Sequence, residues 1–298
     1  MSLDKRLHDQ PAASYADATQ RFAALRALDG ANIDPRSGSR LYAHGQRTPR
    51  AVVLVHGLTN APEQWDDFAR ELHARGVSVV IPRLPGHGHV NKQTRSIGRV
   101  RAGDLLATVN EAIDIARGTG ERVVLAGLSI GGSLAAWLAL RRSDIARSVC
   151  IVPFFGVKGL GFAGNLVLTT TLETLPNAFF PWNPSGDTAA TPAYGYAKFP
   201  TRLLAENLRV GLDVARQARR GTHARGEVAM LLNAREPACS NALSRAIARR
   251  LSTPPGRPVR VVVLDSLPAN HDIIDPTNPQ QLVAIVYPVV RTLIEDPL

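Results

Sequence analysis

Gly127-Leu128-Ser129-Ile130-Gly131-Gly132 sets a serine between glycines where a run of Val and Leu gives way to a run of Ala and Leu. A serine hydroxyl becomes a nucleophile only when a base takes its proton and when it projects into a cleft that the base can reach. Glycines two residues before and two after permit that projection, because they remove side chains that would collide as a strand reverses sharply into a helix. The same spacing would also suit a plain tight turn. Its context favours the nucleophile: strand-like "ERVVLAG" precedes Ser129 and helix-like "SLAAWLALRR" follows it. A helix starting there would turn the Ile130 N–H toward incoming negative charge.

A base is then required on a neighbouring loop. Of eight histidines, His271 in "LPANHDIIDPTNPQQL" lies between the last strand-like run and the last helical pattern. His8, His44, His73 and His223 read as surface positions. His87 and His89 in "LPGHGH" have no cysteine or carboxylate at ligand spacing, so they read as loop-packing residues and not as a metal site. An acid must orient the imidazole and stabilise its protonated form. Glu236 in "NAREPACSN" leads, since it follows the strand-like "EVAMLLNA"; Asp265, after the next strand, is the second candidate. Asp272 abuts His271 and reads as a loop or capping residue. The competing account of Glu236 is a surface salt bridge with a nearby arginine. A tetrahedral oxyanion needs a second donor besides Ile130, and the backbone N–H of Leu58 in "LVHGLTN" fits. The His56 side chain there reads as a structural hydrogen-bonding group.

These residues need a scaffold that gathers their loops. Short β-branched runs alternate with helical patterns, as in βαβ units around a mostly parallel sheet. Strands are expected at Ala51 to Gly57, in "VSVVIP", in "ERVVLAG", in "IARSVCIVPFF", in "EVAMLLNA" and in "PVRVVVLDS". Helices are expected over Glu63 to Gly76, "AGDLLATVNEAIDIARGTG", "SLAAWLALRR" and "NPQQLVAIVYPVVRTLIED", the last with a kink at Pro288. The first fifty residues hold one helix, "YADATQRFAALRALDG", and a short strand, "SRLYAHG". The alternation fails over residues 156–226, whose apolar and aromatic content cannot be left in water as a loop. We expect a mostly helical cap or lid there, a membrane-dipping or dimerising element being the alternatives, with residues 1–155 and 227–298 forming the core.

Composition narrows the function classes. A chain of 298 residues with 45% hydrophobic content can bury a large core. No stretch reaches the roughly 18 apolar residues of a membrane span, and "MSLDKRLHDQPAAS" has no apolar signal core. The expectation is a soluble, cytoplasmic protein, unless an export signal preceded Met1. The net charge of +10 invites nucleic acid, yet only four of the 35 basic residues are lysine and the arginines are scattered. The densest cluster, "RVGLDVARQARRGTHAR", spaces like a helix with one solvated basic face. No nucleic-acid partner is expected. Two cysteines make no disulfide framework, and Cys150 reads as a buried core thiol.

Taken together, "VLVHGLT", "PRLPGHG", "GLSIGG", "NAREPA" and "NHDIIDP", in this order, resemble the α/β-hydrolase superfamily over most of the chain outside residues 156–226. Within it, "IPRLPGHG" and the single-glycine "HG" loop are similar to bacterial carboxylesterases and monoacylglycerol-lipase-type enzymes. The resemblance implies an α/β-hydrolase fold, a triad of Ser129, Glu236 and His271, and oxyanion donors at Leu58 and Ile130. The family more often carries Asp at the acid position. The implied activity is hydrolysis of a small acyl ester with neither metal nor organic cofactor; thioesters, lactones, amides and peptides pass through the same intermediate. A pocket that only binds a small apolar ligand is the alternative of another class.

Overall fold

The computed structural model describes Leu3, Leu7 and residues 9–182, 185, 191–253 and 256–296. In chain order the helices are α1 (Tyr15–Ala27), α2 (Asp66–Ala74), α3 (Ala102–Thr119), α4 (Ile130–Ala139), α5 (Gly161–Thr174), α6 (Thr201–Arg219), α7 (Asn241–Ala248) and α8 (Val283–Glu295). The strands are β1 (Arg40–Tyr42), β2 (Thr48–Val55), β3 (Ser78–Ile81), β4 (Gly120–Leu128), β5 (Ile145–Ile151), β6 (Phe179–Pro181), β7 (Lys198–Pro200), β8 (Glu227–Asn233), β9 (Ser252–Thr253), β10 (Arg257–Pro258) and β11 (Arg260–Leu264).

Seven strands form the central sheet in the order β1-β3-β2-β4-β5-β8-β11. Only the β1–β3 pair is antiparallel. Because side chains alternate across a strand, each inner strand feeds two cores. Val53 and Val55 of β2, with Val123 and Leu125 of β4, join a core completed by α1, α3, α4, α6 and α7. Val52 and Leu54, with Val124, Ala126 and Leu128, join the opposite core, completed by α2 and α8. Burial on both faces explains why these strands read as unbroken apolar runs. The parallel arrangement brings the loops after β2, β4, β5, β8 and β11 to one edge, where doubly wound sheets bind ligands.

Between β5 and β8 the chain forms α5, the two-stranded β6–β7 hairpin and α6. The basic segment of α6 does present one charged face: Arg209 pairs with Glu173 and Glu206, and the Arg219 guanidinium lies 3.9 Å from the Phe162 ring centre. The other face is core. Leu203, Leu208, Val210 and Val214 are buried. Gly211 sits so close to Phe155 that a Cβ there would meet its backbone at 2.6 Å. This helix packs against both α4 and α5, and Phe162 of α5 and Phe179 of β6 pack against the same core.

Several elements differ from the sequence reading. Helix α7 and the small β6–β7 and β9–β10 hairpins are not expected from it, since eight helical residues and strands of two or three residues give little periodicity. Helix α8 begins at Val283 and not at Asn278. The reason is local: the Asn278 side-chain amide donates to Asn270 Oδ1 and to the Asp272 carbonyl, both at 3.2 Å, so this stretch is held as a turn. Pro288 lies inside α8. Among the described residues no helix is long and apolar enough to cross a membrane.

Candidate active site

Ser129 occupies the turn between β4 and α4 with φ 56° and ψ −113°, a backbone conformation that a residue with a Cβ adopts only under constraint. The constraint is visible. Its N–H donates to the Ile151 carbonyl at 2.9 Å, and its carbonyl accepts from Phe154 at 3.0 Å and Ser133 at 3.1 Å. The glycines matter through close approach. A Cβ on Gly127 would lie 2.3 Å from the Gly131 carbonyl carbon, and one on Gly131 would lie 2.4 Å from the Val55 oxygen. Ile130 is the first residue of α4, so its N–H belongs to the exposed donors of a helix start.

The loop after β2 carries Leu58. Its path is set from several sides: Gly57 N–H donates to Gln64 Oε1 at 2.8 Å, and His56 Nδ1 lies 2.9 Å from the Gly57 carbonyl. His56 Nε2 accepts from the Leu84 N–H at 3.1 Å, so the other ring nitrogen carries the proton that reaches Gly57. Burial holds His56 well below the ordinary histidine range, as its neutral, structural use requires. Next in line, Thr59 takes φ 66° and its hydroxyl accepts from Trp182 Nε1 at 2.7 Å. His87 is buried and its Nδ1 lies 2.9 Å from the Pro85 carbonyl; burial lowers it to about 4.

Glu236 and His271 meet directly. His271 Nδ1 lies 2.9 Å from Glu236 Oε1, with the carboxylate fully buried and the imidazole 28% exposed. Oε1 also accepts from the N–H groups of Ala238 at 2.8 Å and Cys239 at 3.0 Å. Burial pushes the Glu236 carboxyl up, but His271 and these N–H groups outweigh it and hold it below its ordinary value. Burial likewise works to lower His271, and Cys239 and Glu236 outweigh it to hold the imidazolium well above the usual range. Since burial keeps Cys239 as a thiol, the charge acting on His271 near neutrality is that of Glu236. Asp265, the second acid candidate, is exposed beyond the end of β11.

A cavity of about 500 Å³ opens at this edge, and Ser129, His271 and Leu58 line it together with Thr59, Trp182 and Tyr196. The structure thus brings Ser129, Leu58 and His271 to one cavity, with Glu236 behind the imidazole and Ile130 next to the serine. Three contributors escaped the sequence reading. Asn233, at the end of β8, donates to the Pro268 and Asn270 carbonyls at 2.9 and 2.8 Å, while its own carbonyl accepts from Glu236 N–H at 3.1 Å. One buried side chain and its backbone therefore hold both the acid's turn and the base's loop. Asp272 accepts from Gln64 at 2.6 Å and Asn60 at 2.9 Å, tying the Leu58 loop to the His271 loop. Burial and the neighbouring Asp275 raise its carboxyl to about 6. Cys239 places its sulfur 3.8 Å from His271 Nδ1.

Such a sheet edge, with a strained serine and a carboxylate-backed histidine on one cavity, defines the α/β-hydrolase class. The family model "Alpha/beta hydrolase family" matches residues 52–292, and the chain belongs to that family. A thermostable monoacylglycerol lipase of Bacillus sp. (strain H-257) is 32% identical over 108 residues, which span 36% of this chain and 42% of that relative. Among solved structures, one from work on the metagenome-derived lipolytic enzymes LipS and LipT aligns with a TM-score of 0.68 at 16% identity, covering 89% of this chain and 100% of that one. A soluble variant of monoglyceride lipase from Saccharomyces cerevisiae aligns at 0.67 with 12% identity, covering 87% and 91%. The monoacylglycerol lipase of Paleococcus ferrophilus aligns at 0.63 with 16% identity, covering 86% and 97%. At these identities the structural likeness establishes the fold.

Proposed function

We propose that this protein is a serine hydrolase of carboxylic esters. The observation that carries the proposal is the 2.9 Å contact between His271 Nδ1 and Glu236 on the cavity that the strained Ser129 also lines. His271 Nδ1–H donates to the carboxylate, which leaves Nε2 to take the proton of Ser129. Ser129 Oγ attacks the acyl carbon, and the N–H groups of Leu58 and Ile130 stabilise the oxyanion; one such donor is typically worth about 3 kcal/mol. His271 returns its proton to the leaving alcohol. Water, activated by the same imidazole, then releases the acyl group from Ser129. The lipase relatives and the mixed wall of the cavity support an acyl ester of moderate size, with α5 and the β6–β7 hairpin acting as the cap. A series of p-nitrophenyl esters of increasing acyl length tests hydrolysis and sizes the cavity together. Wild type should turn over at least the short esters, with kcat reduced about 10⁵- to 10⁶-fold in Ser129→Ala. No turnover of any ester by folded wild type overturns the reading.

A further inference from the structure

Glu236 uses one oxygen for three contacts and leaves the other without any. Oε1 faces His271, Ala238 and Cys239, while Oε2 is buried with no hydrogen-bond partner among the described residues. An orphaned carboxylate oxygen at zero side-chain exposure is costly, and ester hydrolysis gives it no task. The same residue stands with two further ligand groups, Cys239 Sγ and His271 Nδ1, and one ligand atom from each of the three residues lies within 4.8 Å of the other two. The sulfur-to-nitrogen distance is 3.8 Å. A tetrahedral zinc ion with bonds near 2.3 Å to sulfur and 2.0 Å to nitrogen needs about 3.5 Å between those two ligands. The chemistry of the set also fits: a thiolate, an imidazole and a carboxylate are the ligands zinc takes, and together they neutralise its charge in a buried site.

We infer that Glu236, Cys239 and His271 form a binding site for Zn²⁺ that switches the hydrolase off. Binding releases the Cys239 thiol proton to solvent and forms the sulfur–zinc bond. The proton on His271 Nδ1 gives up that position to the metal and moves to Nε2, so the imidazole stays neutral. Thiolate and carboxylate then balance the two charges of the ion. An imidazole that holds its proton on Nε2 cannot accept one from Ser129, so the ester-cleaving step stops. The metal enters through the cavity, where the imidazole is 28% exposed. The loss of activity rests on the function proposed above; the binding of zinc does not.

The test is calorimetric titration of the EDTA-treated full chain with zinc sulfate in a non-chelating buffer, followed by metal analysis after dialysis. The expected result is one ion per chain, with affinity at least tenfold weaker in Cys239→Ala and in the similarly sized Cys239→Ser. Both variants keep the backbone N–H that serves Glu236. Hydrolysis of a p-nitrophenyl ester by wild type should fall with bound zinc and return with EDTA, whereas each variant, scored against its own zinc-free rate, should resist. Failure to retain stoichiometric zinc overturns the inference. Binding by both variants as tight as that of wild type also overturns it, since the ion would then sit elsewhere, as on the stacked pair His44 and His73. Cys239-dependent binding in a protein that cleaves no ester keeps the metal site and removes the proposed function.

Discussion

Leu128, Ser129 and Ile130 are at most 6% exposed, whereas Phe180 and Trp182, in the hairpin region beyond the same cavity, expose 52% and 44%. On the first side, backbone packs on backbone: strand ends, glycines and the start of α4 leave no room for a methyl group. On the other, a hairpin of three-residue strands is held by Phe179 against the core, by the Asn177 amide on the Gly98 carbonyl at 3.3 Å, by the Trp182 indole on Thr59 and by the Tyr196 N–H on the Thr59 carbonyl at 2.9 Å. Ser129 therefore sits in closely packed backbone, and the wall across the cavity belongs to a more exposed part. Few buried contacts mean a low cost of local opening. Chemistry and selectivity should then respond to different substitutions.

On the rigid side, the largest expected effect after loss of the serine is that of Glu236→Gln. It removes the charge that holds the His271 imidazolium, and kcat should fall about 10³- to 10⁴-fold. Hydrolysis needs neutral His271, so activity is lost as pH falls through its pKa. In wild type that limb should lie above 6.5, because Glu236 holds the imidazolium up; in Glu236→Gln it should move to lower pH. A pH profile of kcat/KM measures both. Asp265→Asn should leave the rate close to normal, and the reverse pattern would make Asp265 the acid. Next comes Gly131→Ala, which forces a Cβ against the Val55 oxygen; a loss of about 3 kcal/mol or more is expected by urea unfolding. The smallest effect should come from the hairpin side. Trp182→Ala removes the contact to Thr59, and KM for longer acyl esters should rise about three- to tenfold, near 1 kcal/mol, with kcat within about threefold. A collapse of kcat instead would show that the hairpin is as much a part of the chemistry as the serine turn.

Much of this arrangement was legible in the chain because its signals are local. The glycine spacing around Ser129 and the apolar runs buried on both faces each follow from short stretches of sequence. Residues that act across the fold were not legible. Asn233 looks like any polar residue at a strand end until the Pro268–Asn270 loop closes on it. Asp272 reads as a capping residue because its partners, Asn60 and Gln64, are more than two hundred positions away. The basic helix α6 shows its charge in the sequence, but its close approach to the segment after β5 depends on Gly211 meeting Phe155. Cys239 belongs to the same group, since nothing in "NAREPACSN" foretells that its sulfur comes to rest against His271.

In the proposed reaction Ser129 forms a covalent bond to its substrate's acyl group, with His271 as base. A fluorophosphonate probe followed by peptide mapping tests it most directly, because such probes report a serine whose proton can be withdrawn. One adduct per chain on the peptide carrying Ser129, absent from Ser129→Ala, is the predicted result. A folded wild-type protein that takes up no probe, or takes it up at another residue, would rule out Ser129 as the nucleophile.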